Sequence, residues 1–230
     1  MKNIKKISNR LNIMFMKERT LLLLVSIQNI IISLIVLIFS NVIISNANAT
    51  GELDYFQIGI FNNICISFLA LSIFVSVPMF IGGVYNNFNE ENVIEHMLAV
   101  KITNSDIITA IMISGFCSAF VVFMTSCPIA LTSFYFIGDG ALKIVKIIIF
   151  LVSFLLLYST ITLYISTKFA NAKISTFVSY IFGLILLFFN LTILNTIIAN
   201  LRFYFVYIIL VIIISIIIFA FSRNNNGIYN

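Results

Sequence analysis

Charge is what this 230-residue chain has least of. Charged residues make up 9% of it, against about 25% in a soluble domain. With 61% hydrophobic residues and a mean hydropathy of +1.15, it lacks the polar surface that a water-borne fold must show. Soluble catalysis and nucleic-acid binding are set aside on that ground. Cysteine is scarce and unpatterned: Cys65, Cys117 and Cys127 lie in apolar runs without CxxC spacing, which implies neither a metal centre nor a disulfide framework. His96 is the single histidine, so the His-rich metal sites of intramembrane enzymes have too few ligands here. No GxxxxGK[ST] occurs among the nine glycines, which removes nucleotide binding by that loop. No ionisable residue falls near the middle of an apolar run, where an ion- or proton-coupled carrier keeps one.

What is present is apolar helix. A hydrocarbon core about 30 Å thick takes roughly 20 residues of helix to cross, and the sequence offers six such runs. They cover about 20–44, 56–84, 107–135, 144–165, 174–189 and 204–221. The expected fold class is therefore all-α, one polytopic membrane domain over 1–230. The polar stretch 45–54 contains Ala47-x-Ala49, but the preceding run is longer than the roughly 7–15 residues of a signal-peptide core, so a retained signal anchor is expected. Pro128 predicts a kink or early end of the third span, and Gly138-Asp139-Gly140 a tight turn. Residues 190–202, apolar but interrupted by Asn190, Asn195, Asn200 and Arg202, read as a re-entrant or interfacial piece.

Residues 1–19 are basic. Ile4, Ile7, Leu11, Met14 and Phe15 fall on one helical face, with Lys5, Lys6, Arg10 and Lys17 around the rest. That is the pattern of an amphipathic helix lying in the membrane interface. A basic leader that only sets topology is the alternative. Ten of the thirteen basic residues fall on the side of both termini; Lys143, Lys146 and Arg202 fall on the other. This bias predicts cytoplasmic termini and an even number of spans in the cell membrane.

The most polar internal segment is 85–106. Within it Val93, Met97 and Val100 follow a helical period beside Ile94 and Leu98, and Glu90, Glu91 and Glu95 lie opposite. A short amphipathic helix with acids in its first turn is predicted, and Thr103 or Ser105 is placed to cap the following span. Here the chain resembles the permease subunits of type-2 ATP-binding-cassette exporters. In that family the second span is followed by Glu-x-Gly-Thr-(Leu/Ile)-Glu-x-Leu-Leu-x-x-Pro-(Ile/Val)-Ser and then an acid. This sequence has Glu90, Ile94, Glu95, Leu98, Ile102 and Asp106 at the matching places, with Met97 and Thr103 as conservative replacements. It departs from the pattern at Asn92, Val93 and Lys101. The basic leader, the six spans and the broken stretch before the last span extend the resemblance over the whole chain.

The resemblance implies a subunit that pairs with a second permease copy or paralogue and with two separate ATPase subunits. ATP and Mg would be held by those ATPases and no cofactor by this chain. Glu90, Glu91, Ile94, Glu95, Met97 and Leu98 would form the coupling surface, helped by the leader helix. Within the spans Gln28, Asn29, Asn62, Asn63, Thr125 and Tyr158 are candidate path residues, with Ser126, Ser159, Thr160 and Thr162 nearby; helix packing is the competing role for such amides and hydroxyls. An uncharged path rich in phenylalanine suits an amphipathic or lipid-like cargo, such as a toxin, bacteriocin or lantibiotic peptide. Two other classes stay open: a membrane assembly, sensor or immunity protein acting by binding, and an ATP-independent carrier or channel.

Overall fold

A computed structural model describes residues 4–5, 7–11, 19–51, 55–90, 94, 97, 102–132, 141–169 and 171–224. Their regular secondary structure is all helical. In chain order the elements are α1 (Arg19–Thr50), α2 (Tyr55–Val77), a π-helical turn (Pro78–Gly82), α3 (Gly83–Glu90), α4 (Asn104–Leu131), α5 (Ala141–Lys168), α6 (Ala172–Ala199) and α7 (Leu201–Asn224). Six stretches are long and apolar enough to cross a membrane, α2 counting as one with the π turn and most of α3. The chain is an all-α polytopic membrane protein.

Helix ends follow local chemistry, and two of them depart from the sequence reading. The first helix does not stop at residue 44 but runs on to Thr50. There Gly51, at φ 74°, donates its N–H to the Ala47 carbonyl at 2.8 Å, the left-handed cap that closes many helices. The Asn46 amide donates to Gln57 Oε1 at 2.9 Å, which ties the end of α1 to the start of α2. The fourth helix passes through Pro128 and ends at Leu131. Its start matches the expected signal, because Thr103 Oγ1 accepts the Asp106 N–H.

The largest departure is α6. It continues unbroken from Ala172 to Ala199, where the sequence pattern predicted an end at 189 and a re-entrant piece. Asn190 is accommodated inside the bundle: its amide donates to the Leu186 carbonyl at 2.7 Å, and the Tyr207 hydroxyl donates to its Oδ1. The break is one residue long. Asn200 leaves the helix, and its Oδ1 accepts the Arg202 N–H that opens α7.

Three helices form the interior and three flank it. Of their apolar windows, 61% is buried in the α2 span, 61% in α4 and 56% in α5, against 17% in α1, 22% in α6 and 17% in α7. Helix α1 packs on α2 and α4, while α5 packs on α7, α6, α4 and α2. Phe61, Phe80, Phe123, Phe150, Phe154 and Tyr158 fill the core. Gly115 seats α4 against the π turn: a Cβ there would lie 2.5 Å from Ile81 Cγ1 and 3.2 Å from the Phe80 carbonyl oxygen. Small residues permit such approaches between membrane helices. The outward faces of α1, α6 and α7 carry Leu34, Ile185, Ile209 and similar side chains, which suit a hydrocarbon solvent.

The leader is helical at 4–5 and 7–11. Ile7 and Leu11 are buried in the bundle's apolar cluster and Ile4 packs beside it, whereas Lys5 and Arg10 are exposed. Ile4, Ile7 and Leu11 thus lie against protein. Phe15 lies outside the described residues, as does the Gly138-Asp139-Gly140 turn.

Candidate functional site in the bundle

The two groups of residues singled out from the sequence sit at different depths. Helices α1 and α2 are antiparallel, as the Asn46–Gln57 bond near their shared turn shows. The beginning of α1, with its leader, therefore lies at the same end of the bundle as α3 and the segment after it. At that end Ile94 is fully buried and Met97 packs against the same cluster. The Met97 carbonyl accepts the Ile102 N–H at 3.2 Å, and Thr103 then caps α4. Ile94 and Met97, three residues apart, are turned onto the bundle and anchor the segment to it. Glu90 is the last residue of α3. Glu91, Glu95 and Leu98 lie outside the described residues.

The candidate path residues do not line one cavity. Gln28 and Asn29 meet Ser126 in a short relay between α1 and α4: Gln28 Nε2 donates to Ser126 Oγ at 2.7 Å, and that hydroxyl donates to Asn29 Oδ1 at 3.0 Å. Its neighbour Thr125 is exposed on the side of α4 and bonds back to the Val122 carbonyl at 2.8 Å, which satisfies a hydroxyl in lipid without a partner helix. Asn62 is buried, and its Oδ1 has no hydrogen-bond partner among the described residues. Asn63 is exposed and borders a shallow lateral groove of about 500 Å³ with Ile60, Ser67 and Leu71.

Tyr158 is fully buried at the junction of α2, α5 and α6. Its hydroxyl donates to the Ser179 carbonyl at 3.1 Å, and its ring stacks between Phe74 and Phe154 at 6.2 and 6.0 Å. Gly183 leaves room for the phenol tip, which a Cβ at that position would strike. Geometry therefore makes Tyr158, Gln28, Asn29 and Ser126 interhelical cement. Among the described residues, Ser159, Ser179 and Ser215 also have buried hydroxyls without a hydrogen-bond partner.

Two further grooves open sideways. One, about 450 Å³, lies between α1 and α2 and is bordered by Leu23, Ile27, Gln28, Phe68, Val75 and Met79. The other, about 580 Å³, lies between α5, α6 and α7 and has Lys168 on its rim. Neither groove follows from a motif. The glycines that fix the neighbouring contacts are detectable in principle, because glycine inside a helix is costly and its presence there signals a close approach. Among the described residues no group of three His, Cys, Asp or Glu side chains is placed to hold a metal ion.

No family model, curated protein or solved structure matches this chain.

Proposed function

We propose that the chain is the membrane-spanning permease subunit of an ATP-driven exporter, working with separate ATPase subunits and a second permease copy or paralogue. One observation carries this reading. The leader and the segment after α3, the two parts that the family resemblance assigns to ATPase docking, both send apolar anchors into the core at one end, through Ile7, Leu11 and Ile94. A force applied to either segment is thereby passed to helices packed at interior density, which resist deformation. In the family resemblance the acids Glu90, Glu91 and Glu95 belong to the surface that meets the partner, and ATP and Mg stay with that partner. In this reading both termini are cytoplasmic, in line with the distribution of Lys and Arg. Half a pore also suits three flanking helices whose outer faces are left largely uncovered by the other described residues. The cargo is amphipathic or lipid-like, a membrane-active peptide being the favoured class.

The test is co-purification of the tagged chain from native membranes with whatever ATPase it captures. Combined Glu95→Ala and Leu98→Ala substitution is expected to reduce capture and cargo-stimulated ATP hydrolysis. Undiminished capture and hydrolysis would remove the coupling assignment.

A further inference from the structure

Helix α2 belongs to the interior set, yet one of its sides is open. Gly59, Asn63 and Ser67 follow one another there at i, i+4 and i+8, with the exposed Ile60 and Leu71 beside them. Asn63 is exposed as well. Gln57, paired with Asn46 at the turn between α1 and α2, marks the polar end of the helix, and Asn63 lies roughly 9 Å further along the axis. That is well inside a hydrocarbon half-layer of about 15 Å. So short a side chain cannot reach back from there to the headgroups.

An amide in hydrocarbon needs partners for both its donor and its acceptor. Asn190 shows how this chain provides them: its Nδ2 donates to the Leu186 carbonyl, and its Oδ1 accepts from Tyr207 on the next helix. Asn63 takes part in no hydrogen bond among the described residues. Gly59, one turn away, is open in the same sense. Gly82, Gly115 and Gly183 each seat a side chain of another element, whereas a Cβ at Gly59 would meet nothing within 4 Å. Glycine inside a helix is costly, and in membranes it lets a second helix come close.

We propose that a second copy of the chain docks on this side of α2, the two α2 helices crossing at Asn63 about a two-fold axis along the membrane normal. An amide is donor and acceptor at once, so each Asn63 Nδ2 donates to the other copy's Oδ1, and one isologous contact satisfies both. Lipid tails offer neither a donor nor an acceptor. The groove beside Asn63 meets the one between α1 and α2 at Phe68 and Leu71, and none of the described residues lining either is charged. Two copies therefore approach here without like-charge repulsion. This dimer deepens the half-pore reading, on which it rests for the presence of a second subunit, and makes that subunit a copy.

Two populations of the full chain, labelled with donor and acceptor fluorophores and reconstituted in phosphatidylcholine vesicles, should show energy transfer that rises with the protein-to-lipid ratio. Asn63→Leu should weaken the association about tenfold, two interhelical hydrogen bonds being lost, and Asn63→Gln should restore most of it. With Cys117→Ala removing the exposed native thiol, Ser67→Cys should cross-link between copies under mild oxidation, and Ile209→Cys on α7 should not. Association unchanged by Asn63→Leu, or equal cross-linking at positions 67 and 209, would overturn the dimer face. So would a cross-link from position 67 to a different chain in native membranes, or a monomer at every protein-to-lipid ratio. No ATPase enters these measurements. A dimer sensitive to Asn63 in a chain that captures no ATPase would sink the exporter reading alone. An ATPase-capturing chain whose association ignores Asn63 would sink the dimer face alone.

Discussion

Helices α2, α4 and α5 and helices α1, α6 and α7 are all apolar enough to span a membrane, yet more than half of the first set is buried and less than a quarter of the second. The interior set carries Ser72, Ser76, Ser114, Ser118, Ser126, Ser153, Ser159, Thr160 and Thr162 in buried positions. The flanking set turns rows of Ile, Leu and Phe outward. In water the more apolar helix would be the buried one. In a bilayer lipid is as apolar as leucine, so burial is won by small side chains that allow close packing and by polar groups that need partners. The chain sorts its helices by that rule.

Substitutions at graded positions test how far the contrast holds, with unfolding in detergent or bicelles as the measurement. The largest effect is expected at Tyr158→Ala, which empties the junction of α2, α5 and α6 and should cost about 3–5 kcal/mol; a loss below 1 kcal/mol would mean that the interior is loosely packed. Next is Gly115→Ala, whose new methyl meets Ile81 and the Phe80 carbonyl. Overpacking of this kind costs about 1–3 kcal/mol, and an unchanged melt would show that α4 stands off from the π turn.

Ser126→Ala breaks the relay that joins Gln28 and Asn29 to α4, at an expected cost of about 0.6–1.7 kcal/mol for interhelical hydrogen bonding in membranes. A double-mutant cycle with Gln28→Leu should be non-additive, and additivity would separate the two side chains. The smallest effect belongs to the flanking face: Ile209→Ala, 56% exposed on α7, should change stability by no more than about 0.5 kcal/mol. A loss as large as at Gly115 would mean that α7 is covered by another protein surface, and the contrast between the two sets would then describe one subunit of a larger assembly.

The helices themselves were legible because each is a local run of apolar residues, and the length needed to cross hydrocarbon is fixed. Thr103 as a cap was legible for the same reason, since its partner Asp106 lies three residues on. Asn190 was misread for the opposite reason. Taken alone, an asparagine in an apolar run suggests a break; its partner Tyr207 lies on the next helix and makes it part of the packing. The polar candidates Gln28, Asn29 and Tyr158 were found by composition, but their role rested on neighbours far along the chain. Ser126 lies 98 residues from Gln28 and Gly183 comes from a different helix than Tyr158. No periodicity in one segment encodes such meetings.

The scarcity of charge determined by itself that this is a membrane protein, how many helices can span, and which segments are polar enough to leave the bilayer. Those properties depend on transfer of each segment from water to hydrocarbon, a quantity that is local and nearly additive. Tertiary structure alone decided which three helices form the interior, that Ile7, Leu11 and Ile94 anchor the polar end, and that α5, α6 and α7 enclose a groove under Lys168. Those properties depend on which side chains meet between helices of similar hydropathy, where close packing and interhelical hydrogen bonds choose among arrangements that hydrophobicity leaves equal.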